Sequence, residues 1–256
     1  MPTIKTLFQS HRTIILPGLV FALILVMWAG LVDFFEVTAL LLPGPIEVIL
    51  VTIDEARSLR NAAWSTFSEI VLAAVLAIAG GFLTAALLSL VPFVRRAIFP
   101  YILMTQVVPK VAIAPILIVW FGTGMTSRLI LAFLIAYFPM VVNTLTGLLS
   151  VGQPMLRYAQ SLTASEWQVF TKVRLPVAVP MILSGVKITM TVAVIGIVVG
   201  EFVAADEGLA KIIIESSARL ETALTVSATL LVALLGLVLL GLVEVVERRL
   251  VFWRSK

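Results

Sequence analysis

A chain of 256 residues that is 61% apolar, with a mean hydropathy of +1.15, holds more hydrophobic surface than a soluble domain of its size can hide, so lipid must solvate most of it. It has no cysteine, which excludes disulfides and cysteine-based metal sites. Its isoelectric point near 9.7 comes from bases gathered in alternate loops, a pattern of membrane orientation and not of nucleic-acid binding.

About twenty helical apolar residues cover a hydrocarbon core of roughly 30 Å. Six stretches qualify, at roughly 13–32, 64–91, 98–121, 128–149, 183–203 and 223–246, and they predict an all-α integral membrane protein with one transmembrane domain over 1–256. The first stretch follows Arg12 but is too long for a signal peptide and lacks a small-residue cleavage site, so it reads as a span. The only histidine, His11, stands beside its start and reads as an interfacial side chain.

Leu42-Pro43-Gly44-Pro45 then breaks the helix, and the mixed segment Ile46 to Leu59 is expected to lie at the interface or to pack peripherally. Gly80-Gly81 in the second span, and Gly196 with Gly200 in the fifth, let helix backbones approach closely.

The third span carries Gln106, Pro109, Lys110 and Pro115 in apolar surroundings. Lys110 lies about twelve residues from the start of the span, roughly 18 Å deep at 1.5 Å per residue. A lone ammonium there costs at least about 2.5–3.5 kcal/mol, so it must face protein, water or a ligand. Two readings follow: a pair with Glu69 or Glu201, or a place in a pathway with Gln106 and the carbonyls freed near Pro109. Glu201, where the fifth span meets an acidic loop, is either an interfacial carboxylate or a further pathway candidate. Arg128 and Asn143 in the fourth span leave the same choice open.

Six spans put both termini on one side. Lys5, Arg12, Arg95, Arg96, Arg157, Lys172, Arg174, Arg248, Arg249, Arg254 and Lys256 fall on that side, whereas Asp33, Glu36, Glu47, Asp54, Glu55, Asp206, Glu207, Glu215 and Glu221 fall on the other. Both termini are therefore expected in the cytoplasm.

The loop at about 150–182 is longer than a connection requires. Leu156, Ala159 and Leu162 repeat as one face of a short helix. Thr163 to Glu166 fits a capping box, Trp167, Phe170 and Val173 continue an apolar face, and Leu175-Pro176 with Pro180 predicts a stop before the next span. Two short helices joined by a turn would lie at the cytoplasmic surface, able to seat either in a groove on a soluble partner or on the membrane.

The run from Ala159 through Thr163-Ala164-Ser165-Glu166-Trp167 and Phe170 to Leu175-Pro176 and Pro180 resembles the EAA loop of ABC-importer permeases. Leu42-Pro-Gly-Pro-Ile-Glu-Val48, Val108-Pro-Lys-Val-Ala-Ile-Ala-Pro through Trp120-Phe-Gly122, and Phe138-Pro139 with Asn143-Thr144 are similar to segments of the nitrate, sulfonate, taurine and bicarbonate group. The Pro-Lys-Val-Ala version also looks like importers of pyrimidine or riboflavin precursors. The sequence departs from the loop pattern at Arg157, Tyr158 and Thr163, which stand where the family has Glu, Ala and Gly. A threonine disfavours the left-handed turn that the glycine allows, so a reshaped turn is expected there.

The resemblance implies a type I importer permease fold in the inner membrane. It also implies a second permease copy as a homodimer, two ATP-binding subunits inside and a substrate-binding protein outside. Arg157, Ala159, Thr163, Ala164, Ser165, Glu166, Trp167, Phe170, Leu175 and Pro176 would then contact the ATPase. No G-x-x-x-x-G-K-[ST] occurs, so this chain is expected to hold no cofactor, with ATP and Mg²⁺ bound by the partner. A mid-depth cation would favour an anionic or hydrogen-bonding solute, with an uncharged aromatic one left open. A secondary transporter would want paired carboxylates in two matching halves, and Glu69 and Glu201 show no such repeat. An intramembrane enzyme would need clustered nucleophile, base and metal ligands that the sequence lacks.

Overall fold

The computed structural model describes the backbone of residues 4–204 and 206–250, with side chains in that range except at 4–15, 17 and 250. The side chain of His11, on which its reading rests, therefore lies outside the described part, as do those of Lys5 and Arg12 and the whole of Arg254 and Lys256. Every regular element described is helical. In order they are α1 (Ile4–Phe34), α2 (Pro45–Asp54), α3 (Ala56–Leu90), α4 (Pro92–Met104), a 3-10 turn (Lys110–Ile113), α5 (Ala114–Phe121), α6 (Met125–Leu149), α7 (Gln153–Ser161), α8 (Glu166–Val169), a π turn (Phe170–Arg174), α9 (Leu175–Ala204), α10 (Leu209–Ala218) and α11 (Thr222–Leu250).

Four helical stretches among the described residues are long and apolar enough to cross a membrane: Ala56–Leu90, Met125–Leu149, Glu166–Ala204 and Thr222–Arg249. They contain the expected fourth, fifth and sixth spans and all but Val91 of the second. Lys110–Phe121 is apolar but shorter, and Gly18–Phe34 is the apolar part of α1 whose side chains are described, within a helix of 31 residues.

The third expected span is not one helix. After α4 the amides of Gln106 and Val107 donate to Leu103 and Met104 in tight turns, and Pro109 leaves the helical region at ψ 94° before the 3-10 turn begins. Proline has no N–H for the ladder, its ring clashes with the carbonyl four residues back, and it pushes the preceding Val108 away from helix, so the chain breaks between 104 and 110.

The expected stop at Pro176 and Pro180 is also corrected, because helix runs on from Glu166 to Ala204. The wider π turn at Phe170–Arg174, just ahead of Pro176, absorbs the ring and the missing donor. Pro180 lies inside α9, and Ser184 Oγ donates to its carbonyl at 3.0 Å.

The chain divides into two compact units. One comprises Met1–Leu59 and Ile212–Leu230. Here Gly44 precedes Pro45, the first-turn proline of α2 with its pre-set φ, and Val48 and Leu59 are buried. Thr52 and Ser227 hydroxyls meet at 2.7 Å, Thr222 Oγ1 donates to the Leu40 carbonyl at 2.6 Å, and the Ser216 and Thr225 hydroxyls lie 2.8 Å apart.

The other unit, Arg60–Lys211 with Leu231–Lys256, holds the larger core. Ile70 and Ala73 of α3, Ala132 of α6, Ile197 of α9 and Leu239 of α11 form one buried cluster, and Ala74, Ala77, Ala136 and Ala193 another. The side chains are small because α6 and α9 run antiparallel at close range. A Cβ on Gly196 would lie 2.7 Å from the Cα of Ala132, and one on Gly200 would lie 3.2 Å from the Cα of Arg128. The Gly196/Gly200 pair is thus used for packing within the chain. Outward residues such as Leu83, Leu87 and Leu237 stay apolar and exposed, as a lipid-facing surface requires.

Candidate functional site

Chemistry-bearing residues gather in three places within the larger unit. The first is the element between α6 and α9. Gly152 and Pro154 start α7, which ends in a Schellman motif: the amide of Ala164 donates to the Ala159 carbonyl at 3.2 Å and that of Thr163 to Gln160 at 2.9 Å. Thr163 takes the left-handed position, at φ 54°, so the expected reshaping of the turn does not occur and threonine keeps the glycine geometry. Its hydroxyl turns back to the Leu162 carbonyl at 2.7 Å.

With Thr163 so occupied, the capping box sits two residues later than the sequence suggested. Ser165 Oγ accepts from the Gln168 amide at 3.2 Å, and Gln168 Oε1 accepts from the Ser165 amide at 2.8 Å. Glu166, exposed in the first turn, adds negative charge at the helix start.

The apolar residues of this element divide between two faces. Ala159, Val169 and Phe170 are buried, and Phe170 packs with Leu148 and Ala178. Met155, Tyr158, Leu162 and Trp167 point away, at 52, 62, 63 and 63% exposure. The spacing put Leu162 on one apolar face with Ala159, and Trp167 on one with Phe170, whereas here Ala159 and Phe170 are buried and Leu162 and Trp167 turn outward. Trp167 stacks on Phe170 with ring centroids 5.5 Å apart. Arg157, Thr163, Ser165, Glu166 and Pro176 are exposed, and Ala164 and Leu175 are half-buried. Arg174 anchors the element from below by donating to the Ser89 carbonyl at 2.8 Å.

The left-handed threonine predicts a measurable strain. A β-branched residue pays about 1–2 kcal/mol there, partly offset in glycine by its larger unfolded-state entropy, so Thr163→Gly is expected to stabilise the protein by about 1 kcal/mol. Thermal unfolding of the purified protein should show a rise of about 2–4 °C. A fall would mean that the Thr163 hydroxyl bond outweighs the strain.

The second place is a buried polar network. Arg128 Nε donates to Glu69 Oε2 at 2.9 Å, its Nη2 donates to Glu69 Oε1, and its Nη1 donates to the carbonyls of Thr123 and Ala204 at 3.2 and 3.1 Å. Glu201, 1% exposed, accepts from Thr66 Oγ1 at 2.7 Å and from the Ala210 amide at 2.9 Å, while Thr66 accepts from the Leu209 amide at 2.9 Å. Gly208, at φ +114°, lies against this carboxylate, where a Cβ would come 2.4 Å from Cδ. Glu201 is thus an interior group satisfied by protein donors, and the interfacial reading is corrected. Among sequence signals, only the presence of charge inside apolar runs pointed here; the partners lie 59 and 135 residues apart.

The third place is the broken segment. Gln106 and Pro109 are exposed and Lys110 is half-buried. Lys110 pairs with neither Glu69 nor Glu201, nor with any other described residue. It lines a cavity of about 280 Å³ between the end of α4, the 3-10 turn and α6. Glu201 is not part of that lining. Asn143 is spent locally, donating to the Pro139 carbonyl at 2.8 Å.

Comparison with known proteins gives this arrangement its place. The family described as binding-protein-dependent transport system inner membrane component matches residues 77–252. The chain belongs to this family. A probable ABC transporter permease protein of Haemophilus influenzae is 33% identical over 223 residues, 87% of this chain and 91% of that one. A formylaminopyrimidine transport permease protein of Halalkalibacterium halodurans is 30% identical over 247 residues, 94% and 96% of the two chains. Among solved structures, an inward-facing MetNI methionine ABC transporter shares the fold, with TM-score 0.67 at 18% identity over 77% of this chain and 98% of that one. The chain is an ABC transporter permease of the inner membrane, a transport subunit, and the importer resemblance read from its motifs is borne out.

Proposed function

We propose that two copies of this permease form the translocation pathway of an importer. In this reading each copy is one transmembrane domain that crosses the membrane six times, with both termini in the cytoplasm. An extracytoplasmic binding protein delivers a small solute, and two ATP-binding subunits dock on α7 and α8. The chain supplies no cofactor site of its own, and ATP and Mg²⁺ belong to the partner.

The observation that carries the reading is the outward face of Met155, Tyr158, Leu162 and Trp167, an apolar and aromatic patch on a capped element between two long apolar helices. Such a patch suits a groove on a partner. The residues Arg157, Ala159, Thr163, Ala164, Ser165, Glu166, Phe170, Leu175 and Pro176 frame it or hold it in place.

Movement has a route inward. Because α8, the π turn and α9 form one unbroken helix, a displacement at Trp167 passes directly into α9, and the glycine contacts at Gly196 and Gly200 link α9 to α6. The broken segment with Gln106, Pro109 and Lys110 is assigned to the pathway, since an unpaired cation at membrane depth needs water or solute. The rival secondary transporter loses support because both interior carboxylates, Glu69 and Glu201, are engaged by protein donors.

Cross-linking tests the docking. The chain lacks cysteine, so a single cysteine at Leu162 is a clean reporter. It is expected to form an adduct with a co-expressed ATP-binding subunit, and failure at Met155, Tyr158, Leu162 and Trp167 alike would refute the docking.

A further inference from the structure

We propose that the cavity between the start of α4 and the end of α6 seats an anionic phospholipid of the cytoplasmic leaflet, with its phosphodiester held by Arg95 and Arg96. The inference rests on the proposed orientation, base-rich ends inward, and adds a lipid site to it.

The cavity measures about 480 Å³ and shares no lining residue with the one beside Lys110. Its wall is divided as an amphipathic ligand requires. Phe99, Pro100, Leu145 and Leu149 make an apolar side, Arg95 and Arg96 supply two cations, and no described carboxylate lines it. Among the described residues neither guanidinium has a hydrogen bond or an ion pair, and Arg95 is half-buried. A cation taken partly out of water without a counter-charge is costly, and a phosphate that accepts its paired N–H groups offsets that cost. The start of α4 favours the same ligand. Its first turn has no acidic residue and no side-chain cap, although the helix dipole attracts negative charge there.

Charge selects among the occupants. A second permease copy would have to bring a carboxylate, yet the base-rich side of the chain carries Arg157, Lys172, Arg174, Arg248 and Arg249 against Glu166, Glu244 and Glu247. Two of those three acids are already engaged, Glu244 by Arg248 and Glu247 by Lys187. Free phosphate would satisfy the arginines but leave the apolar side wet. A phospholipid satisfies both, and a basic pocket between membrane helices at the cytoplasmic face suits an anionic headgroup. Its acyl chains have a surface to follow, because no residue of α4 is buried and Ile98 and Tyr101 are exposed along it.

Lipid retained by the purified permease–ATPase complex tests this, counted by native mass spectrometry from detergent micelles that hold phosphatidylglycerol and phosphatidylcholine in equal amounts. Phosphatidylglycerol is expected in excess, about one per permease copy, and neither inorganic phosphate nor glycerol 3-phosphate should displace it. Arg95→Gln and Arg96→Gln should each weaken its retention by about fivefold and the double variant by about thirtyfold. Arg249→Gln, which removes the same charge from the exposed end of α11, should leave it unchanged. Equal retention of the two lipids, retention indifferent to the arginine pair, or displacement by free phosphate would each overturn the proposal. An adduct from Arg96→Cys to a second permease copy, with no lipid bound, would assign the cavity to the copy interface and overturn it as well. Orientation is read separately: labelling of Arg249→Cys by an impermeant thiol reagent outside spheroplasts would defeat the topology and the proposal with it, whereas a protected cysteine without lipid preference defeats the site alone.

Discussion

Arg128→Met is expected to destabilise the folded protein by about 3–5 kcal/mol, the cost of leaving a buried charge without its partner. Glu69 would keep its carboxylate in the helix core with no cation, and the carbonyls of Thr123 and Ala204 would each lose a donor. Thermal unfolding in detergent should register a large fall in melting temperature, with a matching loss of monodisperse protein. Adding Glu69→Leu removes the stranded charge, so the double variant should recover a substantial part of the loss. A melting temperature unchanged in Arg128→Met would mean that the pair contributes nothing to the fold.

Trp167→Asp is expected to act on coupling and to leave the permease itself folded. The side chain is 63% exposed, and its one aromatic contact is with Phe170, so losing it opens no cavity in the bundle. A buried aromatic anchor at an interface is worth roughly 2 kcal/mol or more, about 30-fold in affinity, and a carboxylate in its place adds a desolvation cost. Solute uptake driven by ATP should fall by roughly that factor or more, while membrane insertion and melting temperature stay near those of the parent. A parallel loss of folded protein would place Trp167 in the structural core instead.

These two residues mark what could be read in advance. Trp167 stood in a patterned loop, and periodicity with turn chemistry located two short helices there. Pattern did not tell which apolar residues turn outward, because Thr163 accepts a left-handed conformation and shifts the cap to Ser165 and Gln168. Arg128 was visible as a charge in an apolar run, but its partner on α3 is fixed only by the packing of α3 against α6.

Hydropathy located four long helices closely and blurred the third stretch, since a window average over 98–121 does not register the break at Pro109. Conversely, Pro176 and Pro180 read as a stop, yet a π turn carried the helix through them. Local rules gave the proline's cost in both places. Tertiary packing decided whether the chain broke or bent. The free Lys110 in its aromatic cavity follows from that first break, and sequence alone left its pairing open.

The central claim, that this permease is driven through the face formed by α7 and α8, is tested most directly by cross-linking from single cysteines in the assembled complex. A cysteine at Leu162 should form an adduct with the ATP-binding subunit in high yield, and one at Leu83, exposed on the apolar surface of α3, should form none. Adducts at Leu83 with none along Met155, Tyr158, Leu162 and Trp167 would contradict the account.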